Sequence, residues 1–161
     1  MVQLRKQDLR QVGELWVLRI TPEAGTVKNN EAREVVLHPH LVTQGFPEFV
    51  QGAKLPPLTT QKGYLFLRPA KDGDALGPLH GVKNKLAEFA RAIVTDRNVA
   101  PNHGWRHRFK TVGMEAGIPP RILDTIQGQV SSGAVADTYG DVTLRTQADA
   151  IGKLPWIKVY A

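Results

Sequence analysis

The spacing of apolar residues changes period near residue 79, and that change confines the chain to a fold with a β part first and a helical part after it. Ahead of the change, Trp16, Leu18 and Ile20 alternate along one short run and Val35 and Leu37 along another, with Pro22, Gly25, Asn29 and Asn30 between them. Two alternating runs joined through turn formers predict a β-hairpin with a long polar tip, and Lys28 falls in that tip or just before the returning strand. The run Gly63 to Arg68 is apolar and closed by Pro69, while Pro47, Pro56 and Pro57 forbid one continuous helix ahead of it. It reads as a buried strand or as a loop crossing the core.

Beyond residue 79, Val82, Leu86, Phe89, Ala90 and Ile93 recur at helical spacing, with Lys83, Lys85, Glu88 and Arg91 on the other faces. A second helix is expected from Asn102, a suitable N-cap, through Trp105, Phe109, Val112 and Ala116 to Gly117. Pro119 and Pro120 open a third, with Ile122, Leu123 and Ile126 apolar and Gly128 as its stop. A loop with Ser131, Ser132 and Gly133 leads to a turn at Tyr139-Gly140, and residues 142–153 form a last helix ended by Pro155. Trp156, Ile157, Val159 and Tyr160 then make an apolar tail. No repeat or linker divides residues 1–161, so a single α+β domain is expected, mainly helical, with a small antiparallel sheet near the N-terminus.

Lys and Arg number 21 against 15 Asp and Glu, a net charge of +6 that favours polyanionic partners without naming one. With no cysteine, disulfides and cysteine-ligated metal or haem sites are excluded. Arg5, Lys6, Asp8 and Arg10 interrupt the segment where a secretion signal needs an apolar core, and no apolar run approaches the roughly 20 residues that span a bilayer. A cytoplasmic protein with no membrane partner is expected.

The densest chemical signal is residues 102–110, which gather His103, Arg106, His107, Arg108 and Lys110 into about two helical turns. His103 and Arg106 are three apart and share a face. An imidazole beside a guanidinium suits a phosphate, since arginine offers a planar donor fork and histidine exchanges a proton near neutral pH. On spacing alone, a basic helix that merely touches a DNA backbone or solvent explains the pattern better, since two residues do not define an active site. His38 and His40 form an H-x-H pair, but two ligands on a strand end do not complete a metal site. Trp105 and Phe109 read as core by their helical spacing.

Taken in order, TVKNNEAREVVLHPHL at 26–41, HGWRHRF at 103–109, AGIPPRILDTIQGQ at 116–129 and VADTYGD at 135–141 resemble the C-terminal catalytic domain of the tyrosine recombinases, the phage integrase family. That family carries a lysine on a hairpin, an H-x-x-R helix, a Gly-His or Gly-Trp after the next helix, and then a tyrosine. The opening LRKQDL at 4–9 resembles the segment just after the family's first catalytic arginine. The resemblance covers most of the chain and implies DNA integration and site-specific recombination by a bacterial or phage-encoded, nucleoid-associated enzyme acting on double-stranded DNA.

Carried over residue by residue, the resemblance makes Tyr139 the nucleophile that forms a 3′-phosphotyrosyl intermediate. A phenol with a pKa of about 10 must lose its proton as it attacks, so neighbouring cations and a base are required. Arg106 would hold the non-bridging oxygens, His103 would assist proton transfer, and Lys28 would protonate the 5′-oxygen leaving group. The phosphotyrosyl bond conserves the phosphodiester energy, so the resemblance implies no cofactor and no metal. Gln129 stands where the family has His or Trp, and it can donate a hydrogen bond to phosphate but cannot shuttle a proton. The family's G-x-R-x-x-E arginine would lie ahead of Leu4, which implies an N-terminally truncated domain with little activity of its own. The alternative is a non-catalytic DNA-binding or oligomerising remnant of an integrase. A type IB topoisomerase shares the chemistry but fits the Gly128-Gln129 spacing less well. The apolar tail is expected to pack either on a neighbouring copy, giving a homo-oligomer on DNA, or on its own chain.

Overall fold

The computed structural model describes residues 2–25, 30–54, 63–129 and 141–157. Among them the chain forms a three-stranded antiparallel sheet followed by helices. Strand β1 (Leu9–Val12) turns at Gly13 into β2 (Leu15–Ile20), and β3 (Arg33–Val36) returns along the other edge of β2. Gly13 has a φ of 59°, the left-handed backbone that a two-residue hairpin turn opening on glycine requires. Leu9 faces Leu18 and Val17 faces Val36 across the two ladders.

The hairpin expected between Trp16 and Leu37 is β2 with β3, whereas β1 is an added strand. The inward face differs from the expected one. Val17 is wholly buried and packs with Val36, Ile126 and Ile151, while Trp16, Leu18 and Ile20, on the opposite parity, are only half-covered. The helices supply their apolar residues to the Val17 side, and pleat geometry then turns its neighbours away from that core.

Two short helices, α1 (Pro39–Thr43) and α2 (Phe46–Gly52), follow the sheet. The 63–68 run is a loop rather than a strand, with one bridge between Tyr64 and Arg5. It is nonetheless core: Tyr64 and Leu67 pack with Ala24 and Leu79, and the Tyr64 hydroxyl donates to the Ala24 carbonyl at 2.8 Å. That buried bond occupies the phenol structurally. Beside it Arg5 binds Asp8 through both its backbone N–H and its guanidinium, which fixes the short turn leading into β1.

Helix α3 (Leu76–Ile93) contains the expected stripe, but the stripe is covered only at its start. Leu79 is buried and Val82 half-buried, while Leu86, Phe89 and Ile93 are exposed among the described residues. Asp74 precedes the Ala75 N-cap of α3, and its carboxylate accepts the backbone N–H groups of Leu76 and Gly77 in the first turn.

Helix α4 (Pro101–Glu115) begins one residue before Asn102, because Pro101 occupies the first turn, where a missing N–H costs nothing. It ends as the sequence predicts. Gly117 has a φ of 72° and donates to the Met114 carbonyl while Ile118 donates to Gly113, a Schellman closure. Helix α5 (Pro120–Gln127) closes the same way at Gly128 and Gln129, and α6 (Leu144–Ile151) starts on a Thr143 cap. Leu123 of α5 is wholly buried against Gly113 of α4, where any Cβ would collide with its methyls. Phe109 and Ala116 join this contact as expected, but Trp105 is 67% exposed. The eight-residue α5 covers the later turns of α4 and not its first.

The tail lies on its own chain as far as Ile157. His38 accepts the His40 N–H at its Nδ1, capping α1, and its Nε2 is 3.1 Å from the Leu154 carbonyl. Trp156 stacks on the His40 ring with centroids 4.7 Å apart. The H-x-H pair is therefore engaged in joining α1 to the tail. No helix among the described residues is long and apolar enough to cross a membrane.

Candidate functional site

The two Schellman closures and the Gly113–Leu123 contact hold α4 and α5 in a fixed relation, and that relation positions Arg106. One Arg106 Nη1 hydrogen donates to the Gln127 carbonyl at 3.0 Å. In return the Gln127 side-chain amide donates to the Arg106 carbonyl at 2.8 Å. The first bond occupies one of five guanidinium N–H donors, so the half-buried head is oriented while its other donors have no acceptor among the described residues.

Arg106 lines an open groove of about 1390 Å³. His103, exposed on the preceding turn of α4, lines it too, as does Gln129, exposed just beyond the end of α5. Three of the five residues singled out from the sequence therefore border one space. The His103 ring lies edge-on to His107, with centroids 4.8 Å apart. Lys28 and Tyr139 fall outside the described residues.

The groove is rich in positive charge. Arg19, Arg33, Lys83 and Lys110 also border it, against Asp8, Glu31 and Asp124. Two of those carboxylates are already engaged, Asp8 by Arg5 and Asp124 by Lys110 at 2.6 Å. A concave surface with this balance attracts anions.

Arg33 is the groove residue that sequence reasoning missed. It opens β3 and its guanidinium lies on the backbone of Gly128, with Nη1 2.5 Å from where a Cβ there would stand. Burial lowers its pKa from the usual arginine value, and the Arg106 charge lowers it further. The signal in the sequence is slight. Arg33 has the strand parity of Val35 and lies opposite Ile20, on the face turned away from the Val17 and Val36 core, where an arginine is unremarkable.

Among the described residues no group of three or more His, Asp or Glu is arranged to hold a metal ion. Compared with family models, with curated proteins and with solved structures, the chain matches none.

Proposed function

We propose that this groove holds a DNA phosphodiester and that the chain carries the strand-cleaving and rejoining chemistry of a tyrosine recombinase. The observation that carries the reading is the convergence of His103, Arg106 and Gln129 on one basic groove, with Arg106 oriented by Gln127. The residue types suit an in-line displacement at phosphorus. Arg106 keeps N–H donors without an acceptor among the described residues for the non-bridging oxygens, on which negative charge grows in the transition state. His103 is exposed and can exchange protons with a bound phosphate or with water. Gln129 adds a neutral donor.

In the proposed step the Tyr139 oxygen attacks phosphorus and passes its proton to water with the assistance of His103, the bond from phosphorus to the 5′-oxygen breaks, and Lys28 protonates that oxygen. A 3′-phosphotyrosyl bond and a free 5′-hydroxyl result. The reverse reaction, with a different 5′-hydroxyl, rejoins the strand without an external energy source.

The test is a suicide duplex, nicked so that the 5′-hydroxyl fragment diffuses away. A covalent protein–DNA adduct is expected with the wild-type chain and none with Tyr139→Phe. Duplex binding without any adduct would instead identify a DNA-binding module.

A further inference from the structure

The Arg33 guanidinium has no role in the chemistry above. Arg33 is half-buried, lies flat over Gly128 and borders the same groove as Arg106. Its Nε is buried and has no hydrogen-bond acceptor among the described residues. Nor does a carboxylate answer it there. Glu34, the next residue, pairs with Arg10 at 2.5 Å, and Asp124 pairs with Lys110. The charge that Arg33 senses is the like charge of Arg106. Two half-buried guanidinium groups that face one groove and repel each other are an arrangement that a bound oxyanion favours.

The backbone on which Arg33 rests is suited to this. Gly128 has a φ of 66°, and any side chain there would strike the guanidinium. The same glycine closes α5 beside the Gln127 carbonyl that orients Arg106. A single turn of chain thus sets both arginines.

We propose that Arg33 and Arg106 form a two-guanidinium site, floored by Gly128, that takes a phosphate group by its non-bridging oxygens. As a DNA phosphodiester, that ligand rests on the function proposed above; free inorganic phosphate offers the same oxygens.

The experiment titrates inorganic phosphate into the full chain at constant ionic strength, by calorimetry and by thermal midpoint, for wild type and Arg33→Gln. The variant is expected to weaken phosphate binding about tenfold, the loss of a charge-assisted hydrogen-bonded pair. In chloride it is expected to melt no lower than wild type, because a half-buried charge with no carboxylate partner among the described residues has been removed. A merely structural Arg33 gives the opposite pair of results, a lower midpoint in chloride with the phosphate-induced rise intact. Phosphate affinity within about twofold of wild type, well under the tenfold loss of such a contact, overturns the site. Should Arg33→Gln fail to fold, Arg33→Lys keeps the charge and loses the planar fork; undiminished affinity in that variant overturns the proposal equally.

A short intact duplex separates the two sources. If the ligand is a DNA phosphodiester, Arg33→Gln weakens duplex binding in parallel and phosphate competes with the duplex. A fall in phosphate binding alone assigns the site to free phosphate. Phosphate binding that depends on Arg33, in a chain that forms no Tyr139 adduct, removes the recombinase reading and leaves the site standing. An adduct with Arg33-independent phosphate binding does the reverse.

Discussion

Arg106 and Gln127 exchange two hydrogen bonds between α4 and the end of α5, each side chain binding the other residue's carbonyl at 3.0 and 2.8 Å. The pair ties the orientation of a groove-lining cation to the geometry of a helix end. Gln127→Ala is expected to cost about 1 kcal/mol of stability, the net worth of one such bond. It should also weaken duplex binding, because the Arg106 backbone loses its brace. Urea unfolding and a duplex titration at fixed salt check the two effects; lowered stability with unchanged binding would refute the positioning role.

Gly113 lets α4 approach α5 until its backbone meets the Leu123 side chain. Gly113→Ala is expected to destabilise the chain by about 1–3 kcal/mol through overpacking. Leu123→Ala should cost about 2–5 kcal/mol by leaving a cavity. The double variant should cost less than the sum, since the new methyl occupies part of the vacated space. Strict additivity in denaturant titrations would count against this contact.

Asp74 provides a pH dependence with a definite sign. Backbone N–H groups of Leu76 and Gly77 hold its carboxyl below the usual value of 3.8, with His80 adding a smaller effect. A group whose folded pKa is depressed stabilises the fold fully above its unfolded value and loses that contribution as pH falls through the folded one. The first turn of α3 should therefore fray below pH 3.8 in wild type, while Asp74→Ala is frayed already and changes little across that range. Helical signal and amide exchange near Leu76 between pH 6 and pH 2 provide the check.

Trp156 joins the tail to α1 through the His40 ring. Trp156→Ala is expected to lower stability by about 0.5–1.5 kcal/mol, the scale of a stacked ring pair. The mass measured by light scattering should not change. A change in oligomeric state would show instead that the tail is exchanged between copies.

The hairpin, the α4 and α5 stops and the α6 segment were legible because alternation, glycine placement and proline placement act within a few residues. Strand β1 was not, since four residues bearing Arg10 and Gln11 carry too little alternation to declare themselves. Periodicity identified α3 and α4 as amphipathic but could not say which turns a neighbour covers, so Trp105 was assigned to the core and is exposed. At the candidate site, His103 and Arg106 stood out by the place of H-x-x-R in an ordered series of motifs and not by spacing alone. Arg33 escaped notice because its significance depends on Gly128, a residue far along the chain that only tertiary packing brings beneath it.

The Gly113–Leu123 contact sits seven residues from Arg106 along α4, a distance of about 10 Å at helical rise. Since a helix is stiff over two turns, this contact works as the fixed jaw of a caliper whose moving jaw is the guanidinium. A methyl group added at the fixed jaw would misgauge the opening in which an anion must fit.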